Sequence, residues 1–421
     1  MKLYNVILSV VLGVGLLLSC QSTPKNPLGI SLAQDIVESS LQETLITAKA
    51  GSTISLPEGT FSFKRSLSLA DTPDITIKGA GKGKTILSFI NQIEGAEGIL
   101  VKHVKGLTLE GFTVQDSKGD AIKVQDCSEV VLRDLETTWT QGKKSTNGAY
   151  GLYPVSSTNV LMEDCEASYA MDAGIYVGQS TNVVVRGNYA HNNVAGLEIE
   201  NTINAEVYDN KSVGNTGGMM IFDMPDLPQA NGDRVKFYNN IMMDNNGENF
   251  APEGMVVSTI PPGTGMFIMS HRNIEVHDNV IKGHKTVGLA VNSWLFTGIP
   301  FESEEFDPYS TNIYVHRNSI ESPDAAPDVS KPFGQLISAV LGKPYDIVID
   351  GIFEPTTMGV DGRPTSYCFQ DNGDITFVNL NAGMSMDPAE MVNNLDFDLS
   401  KFDCSLPDFD TSKHDDWLAV N

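Results

Sequence analysis

Lys123, Tyr153, Tyr176 and Glu198 take the same place in successive copies of one short phrase, the first outward position after a glycine or small residue. Two residues further on stand Gln125, Val155, Gly178, Glu200 and Phe222. Side chains two apart in an extended strand share a face, with Cα atoms ~6.5–7 Å apart, so Glu198 and Glu200 form a carboxylate pair. Paired carboxylates do acid–base work when their surroundings split their pKa values. Aromatic faces beside them suit sugar rings. Asp172 and His191 stand on the turns ahead of these strands, in reach as a further acid and a base. The expected catalytic set is therefore Glu198, Glu200, Asp172 and His191, with Tyr153, Tyr176, Lys123 and Phe222 holding substrate. A plainer account stands beside it: an outward Tyr–Tyr–Glu column is also ordinary cross-strand pairing, and His191 an ordinary hydrogen-bonded turn residue.

The columns follow from a repeat. A phrase built on Asn-Val-x-Val begins at Asn159, Asn182, Asn204, Asn273 and Asn312, with weaker copies from Gly106, Glu129 and Arg234. Tight copies are 22 or 23 residues apart; longer spacings of 30 to 39 hold inserted loops. Each phrase alternates apolar and polar residues, the period of a strand with one buried face. Asn-Gly pairs occur, yet none is a two-residue link between two of these strands, so hairpins do not organise the chain. No helical crossover separates the strands either, which excludes a doubly wound sheet. The remaining solution is all-β: a single-stranded right-handed parallel β-helix over residues 31–320, with an N-terminal cap and an irregular C-terminal region at 321–421. Six residues after the leading position stand Cys165, Asn188, Asn210, Asn240, Asn279 and Asn318, with Phe112 and Leu135 in earlier coils. Asn side chains stacked at one inward turn can bond along the stack. The inserts near 138–149, 223–233, 247–264 and 293–311 are expected to wall a groove around the Tyr/Glu columns. The helical periodicity from Leu32 through Leu45 suits a cap on the first coil.

A second outward face reads Glu110, Arg133, Glu163, Arg186, Tyr208, Tyr238, His277 and His316, most economically a ladder of surface ion pairs followed by stacked rings. Eight of the 15 methionines lie between 219 and 269, near His271 and His277. Soft sulfur ligands invite Cu(I), but core filling is the simpler reading of inward positions such as Met219, Met255 and Met266. No metal site is assigned from these residues, and the cofactor is unknown.

Compartment is read from the first residues. Lys2, the apolar run Ile7–Leu18 and Leu17-Leu18-Ser19-Cys20 form a lipoprotein signal over 1–19, too short for a comfortable membrane span. Cys20 is the expected lipid anchor and residues 20–30 a polar tether. Gln21, where an inner-membrane signal places Asp, favours the outer membrane of a cell envelope. Oxidation there makes a Cys368–Cys404 disulfide plausible, with Cys127 and Cys165 reduced and buried. A formal charge of −25, from 53 acidic against 28 basic residues, argues against nucleic acid and disfavours polyuronates. The partners expected are a polysaccharide or another exported protein.

At Asn147–Val155, Asp172–Ser180, Ala195–Asn201, Asn249–Pro252 and Pro261–Gly265, the sequence resembles the exported bacterial parallel β-helix repeat lipoproteins of the pectin-lyase-like superfamily. The resemblance covers roughly residues 50–320. It implies the β-helix and export. It implies no settled activity: the superfamily holds polysaccharide lyases, hydrolases and epimerases beside members without catalytic residues. This sequence has no Asp-Pro-His-Asp phrase of the alginate-epimerase type, and no Asp cluster with adjacent Arg of the calcium-dependent pectate-lyase type. Three functions follow as expectations: a carbohydrate-binding and modifying groove, a non-catalytic scaffold for an exported partner, and periplasmic copper handling.

Overall fold

The computed structural model describes residues 28–31, 37–360, 363–411, 414, 417 and 418. The signal peptide, Cys20 and residues 21–27 of the tether lie outside the described residues. One repeat makes one turn about a common axis. Thr181–Arg186 and Tyr189–His191 lie on a long sheet, Ala195–Glu200 lies on a second sheet, and Ile203–Tyr208 begins the next coil. Pairing is parallel and in register, as in Val183 with Ala205 and Leu197 with Met219. The long sheet holds 20 of the described strands against 11 in the second, because most coils bend within it and contribute two segments. The architecture is a right-handed parallel β-helix.

The leading residue of each phrase has a specific task. Asn159, Asn182, Asn204, Asn273 and Asn312 adopt φ of 55°, 57°, 60°, 56° and 52°. This left-handed conformation is costly for most side chains and tolerable for Asn, whose short amide bonds locally. Gly106 meets the same demand at 76°, whereas Glu129 and Arg234 adopt it without such help. Their outer amides also form a ladder, Asn182 donating to Asn159 and Asn204 to Asn182 at 2.9 and 2.8 Å.

Inside, the ladder six residues on is continuous. Each Asn accepts at Oδ1 from both the backbone N–H and the side-chain amide of the Asn one coil earlier: Asn188 to Asn210, Asn210 to Asn240, Asn240 to Asn279 and Asn279 to Asn318, all at 2.9–3.0 Å. It runs one step past the legible repeat, to Asn372. Cys165 heads it, its N–H donating to Asn188, and is buried and reduced like Cys127. A second ladder five residues along joins Asn193, Asn215 and Asn245 and ends on His284. Between the ladders run apolar columns such as Leu152, Ile175, Leu197, Met219, Met266 and Leu289. Met219 and Met266 are thus core. Met255 is not inward: it packs in a loop on the outer face.

Three boundaries move. Leu28–Ser31, whose first three residues were counted with the tether, is a strand paired with Ser52–Ser55. The capping helix is Glu38–Thr47, its Leu41 and Leu45 buried in the core cluster at the first coil. The stack does not stop at residue 320: Ile347–Ile349, Tyr367–Gln370 and Phe377–Asn379 continue both sheets. A helix at Pro332–Val340 packs outside them. The repeat fades there because long excursions separate strands that still pair. Phe353, Phe369, Phe377 and Phe402 close the last coil, and Cys368 is bonded to Cys404.

The connection from the second sheet to the next leading residue varies widely in length. It is short at 179–180, 201–202 and 270–271, and long at 223–232 and 293–310.

Candidate acid–tyrosine site

The second sheet sets the columns in the register expected from the phrases: Tyr153 pairs with Lys123, Tyr176 with Glu198, Glu198 with Met220, and Glu200 with Gly178 and Phe222. The glycines that precede these strands are needed for close approach. A Cβ on Gly174 would stand 2.5 Å from the Asn193 amide, and one on Gly218 3.0 Å from that of Asn245. The second Asn ladder therefore seats the strands that carry the site. A Cβ on Gly178 would meet the Tyr176 hydroxyl at 2.4 Å, so that glycine lets the ring lie along its own strand.

The columns do not line an open groove. Tyr176, Asp172, Glu198 and Glu200 are only 3, 5, 3 and 9 % exposed. The loop before Thr264 folds over them, with Val257 buried and Phe250, Met255 and Ile260 packed against Tyr176, Val194 and Met220. Asn249 organises that loop by donating to the carbonyls of Val257 and Ile260, both at 2.9 Å. Phe222 packs against the same cluster, beside Glu200. It joins Trp294, Phe306 and Met269 in an apolar cluster beneath the 293–310 connection. Outward residues of this stack are solvated only where no insert covers them.

Under the loop the chemistry is concentrated. Tyr150, Tyr153 and Tyr176 form a ring triad with centroids 4.5, 4.5 and 4.8 Å apart. Tyr176 donates to Glu200, and the Tyr150 hydroxyl lies beside Asp172. Lys123 lies 4.6 Å over the Tyr153 ring and 4.0 Å from Asp120, whose carboxylate accepts from the Tyr150 N–H. Among the described residues Glu198 has no hydrogen-bond partner. Burial pushes all four carboxyls up: Asp120 to about 6, Asp172 to about 7, and Glu198 well above its usual range, reinforced there by Asp172 and Glu200. Glu200 rises for the same reason, and the Tyr176 hydrogen bond opposes the rise. Desolvation and like charges disfavour the ionised forms. Asp172 and Glu198 in particular are held toward the protonated form near neutral pH, the state a general acid needs.

His191 is not part of this set. It ends the strand Tyr189–His191 on the long sheet, stacked on Tyr189 at 4.5 Å with Nε2 3.1 Å from Glu166. The corner comes after it, at Asn192 with φ 59°. Tyr150 and Asp120 were not expected from the columns, since both precede their strands; their only signal was position ahead of Gly151 and Lys123. Asp223 is also close enough to feel Glu200, and its own burial pushes it well up. Buried His271, near Asp223, is pushed down to about 4 by desolvation.

On the long sheet, Glu163 pairs with both Arg133 and Arg186, whereas Glu110 turns to Lys78 at 2.8 Å. Tyr208, Tyr238, His277 and His316 stack at 4.9, 5.0 and 5.1 Å. Among the described residues no group of three or more His, Cys, Asp or Glu is arranged to hold a metal ion.

Residues 143–306 match the family model described as "Right handed beta helix region". Two curated relatives are the pre-neck appendage proteins of Bacillus phages phi29 and PZA, each 24% identical over 217 residues, 43% of this chain and 25% of theirs. The chain thus spans about a quarter of their length. Among solved structures, the A-module of a mannuronan C-5 epimerase from Azotobacter vinelandii superposes with a TM-score of 0.50 at 16% identity, over 79% of this chain and 89% of that one. A polygalacturonase from Erwinia carotovora ssp. carotovora gives 0.46 at 14% identity, over 72% and 95%. At such identities the likeness is one of fold. The chain is a right-handed parallel β-helix protein.

Proposed function

We propose that this is a cell-envelope protein that binds a carbohydrate chain at the acid–tyrosine site, with protonated Glu198 and Asp172 as the groups able to donate to a glycosidic or ring oxygen. The observation that carries the reading is the assembly of four carboxyls, all pushed up by burial, and three tyrosine rings on one outward face. The fold shared with a mannuronan epimerase module supports a glycan, while the charge of −25 points to a neutral rather than a uronate chain. Entry is from the Lys123–Tyr153 end, where Lys123 is 22% exposed. Reaching Glu198 requires the loop before Thr264 to lift. The test is Glu198→Gln assayed against neutral polysaccharides for binding and turnover: a loss of at least tenfold in either is expected, and unchanged values would remove this site. Anchoring at Cys20 belongs to the same proposal, and Cys20→Ala should abolish incorporation of labelled fatty acid.

A second reading, a scaffold that docks another exported protein, is favoured by the closure of the same site under Val257 and Met255. Crosslinking in the native envelope that recovers no protein partner would count against it.

A further inference from the structure

A polar trough runs along the leading residues of the long sheet, with one wall supplied from outside the coils. Cys404 is tied to Cys368, and the Phe409 N–H donates to Glu275 at 2.9 Å. Glu275 and Cys368 are outward residues two register steps apart, through Tyr314. The segment between these two ties is held against the stack as a fixed wall. Leu406–Asp410 face Asn204, Asn273 and Asn312 across a cavity of about 520 Å³. A second cavity of about 460 Å³, walled by Asp307, Tyr309, Thr311, Glu354 and Thr357, shares Asn312 with the first. Both lie within the ~300–1,000 Å³ of ligand sites. Thr357 is bonded to Ser366, which stands one coil beyond Asn312. From Asn204 to Ser366 the trough crosses four coil steps, ~19 Å at ~4.8 Å each.

Its polar groups call for an occupant rich in hydroxyls. Asn204 is only 5% exposed and gives its amide to Asn182, while Asn312 gives its own to Asn273. Among the described residues no donor reaches the Oδ1 of either, and the Tyr309 hydroxyl and Thr311 Oγ1 have no partner. A hydroxyl serves both needs, because it donates and accepts at once. Leu406, Pro407 and Phe409 add apolar surface on the facing wall, suited to the C–H faces of sugar rings. Charge narrows the class. Asp307, Glu354 and Asp408 line the trough, and its arginine, Arg234, is bonded to Asp233. An anionic chain is repelled there. The strands beneath are paired on both sides, so a peptide backbone finds no free edge to extend.

We propose that this trough is a second glycan site, which holds a neutral oligosaccharide lengthwise along the stack. The Asn204–Asn312 line reads ring hydroxyls from one side, and Leu406–Phe409 pack on the rings from the other. The trough lies on the other sheet from the acid–tyrosine site and uses none of its residues, so neither reading depends on the other.

The test follows amide hydrogen exchange of the full chain with saturating cellohexaose, maltohexaose or mannohexaose. One of the three is expected to slow exchange at 406–410 and 354–357 at least tenfold, with the inner ladder unchanged. Tyr309→Phe/Asn312→Gly removes one hydroxyl and one amide and keeps the left-handed backbone at 312. It should weaken that binding at least tenfold in a titration read at the same amides. Leu406→Trp, which fills the cavity from its outer wall, serves if the double variant unfolds. No protection of either segment by any of the sugars, or protection that survives both variants, overturns the proposal. Equal protection by hexagalacturonate would overturn the neutral class, and equal protection by an uncharged Gly-Ser peptide would assign the trough to a protein segment instead. Protection confined to 249–260 would put the sugar at the acid–tyrosine site alone and overturn the trough. Protection confined to 406–410 and 354–357 would uphold it even where the acid–tyrosine reading fails.

Discussion

Two buried polar regions of this stack differ in how their needs are met. The inner ladder from Asn188 to Asn372 matches every amide it buries with a partner one coil away. The outer cluster buries Asp172, Glu198 and Glu200 among like-charged neighbours, and Glu198 without a hydrogen-bond partner among the described residues. Burial of a satisfied amide strengthens a fold, whereas burial of an unsatisfied carboxyl costs stability unless it stays protonated. The first region explains why the coils stack. The second is where a stability cost has been accepted, which is where a function is best sought.

That contrast can be broken most sharply at the ladder. Asn240→Leu would strand the Asn210 backbone N–H and remove the side-chain bonds to the Asn210 amide, the Val207 carbonyl and the Asn279 Oδ1, which keeps only the residue 240 N–H. A loss of at least about 3 kcal/mol in denaturant unfolding is expected. The carboxyl cluster should behave in the opposite sense. A folded-state pKa raised above the unfolded value gives stability that is full at low pH and lost as pH rises to the folded pKa. For Asp172 that window runs from about 4 to about 7, with a slope of about 1.4 kcal/mol per pH unit for one such group. Glu198→Gln should therefore stabilise the protein by roughly 1–3 kcal/mol at pH 8 and scarcely change it at pH 4. Equal effects at both pH values would show that Glu198 is not held protonated. The smallest effect belongs to the outer amide ladder. Asn182→Gly keeps the left-handed backbone and removes one half-exposed amide that water can replace, so less than about 1 kcal/mol is expected.

Much of this was legible because the β-helix writes its geometry into period and offset. The leading Asn marks a left-handed residue, and the Asn six places on marks the inner ladder. The second ladder carried the same signal: Asn193, Asn215, Asn245 and His284 each stand five residues after a member of the first. Asn372 was hidden because its phrase, Tyr367–Gln370, follows a long excursion with no recognisable copy between. The columns of Tyr153, Tyr176, Glu198 and Glu200 followed from strand parity alone. Their burial did not, because it depends on where the Asn249–Ile260 loop folds, and nothing in strand parity encodes that. His191 was misplaced because the corner begins one residue later than the phrase suggests.

The connections at 223–232 and 293–310 sit at the same corner as the brief ones at 179–180, 201–202 and 270–271, with the ladder uninterrupted on either side. Chain length at that corner is decoupled from the core, and lengthening such a loop costs little closure entropy. The corner thus acts as a permissive address. Sequence can be added or exchanged there to cover, uncover or reshape the outer face, while the coils beneath keep their pitch.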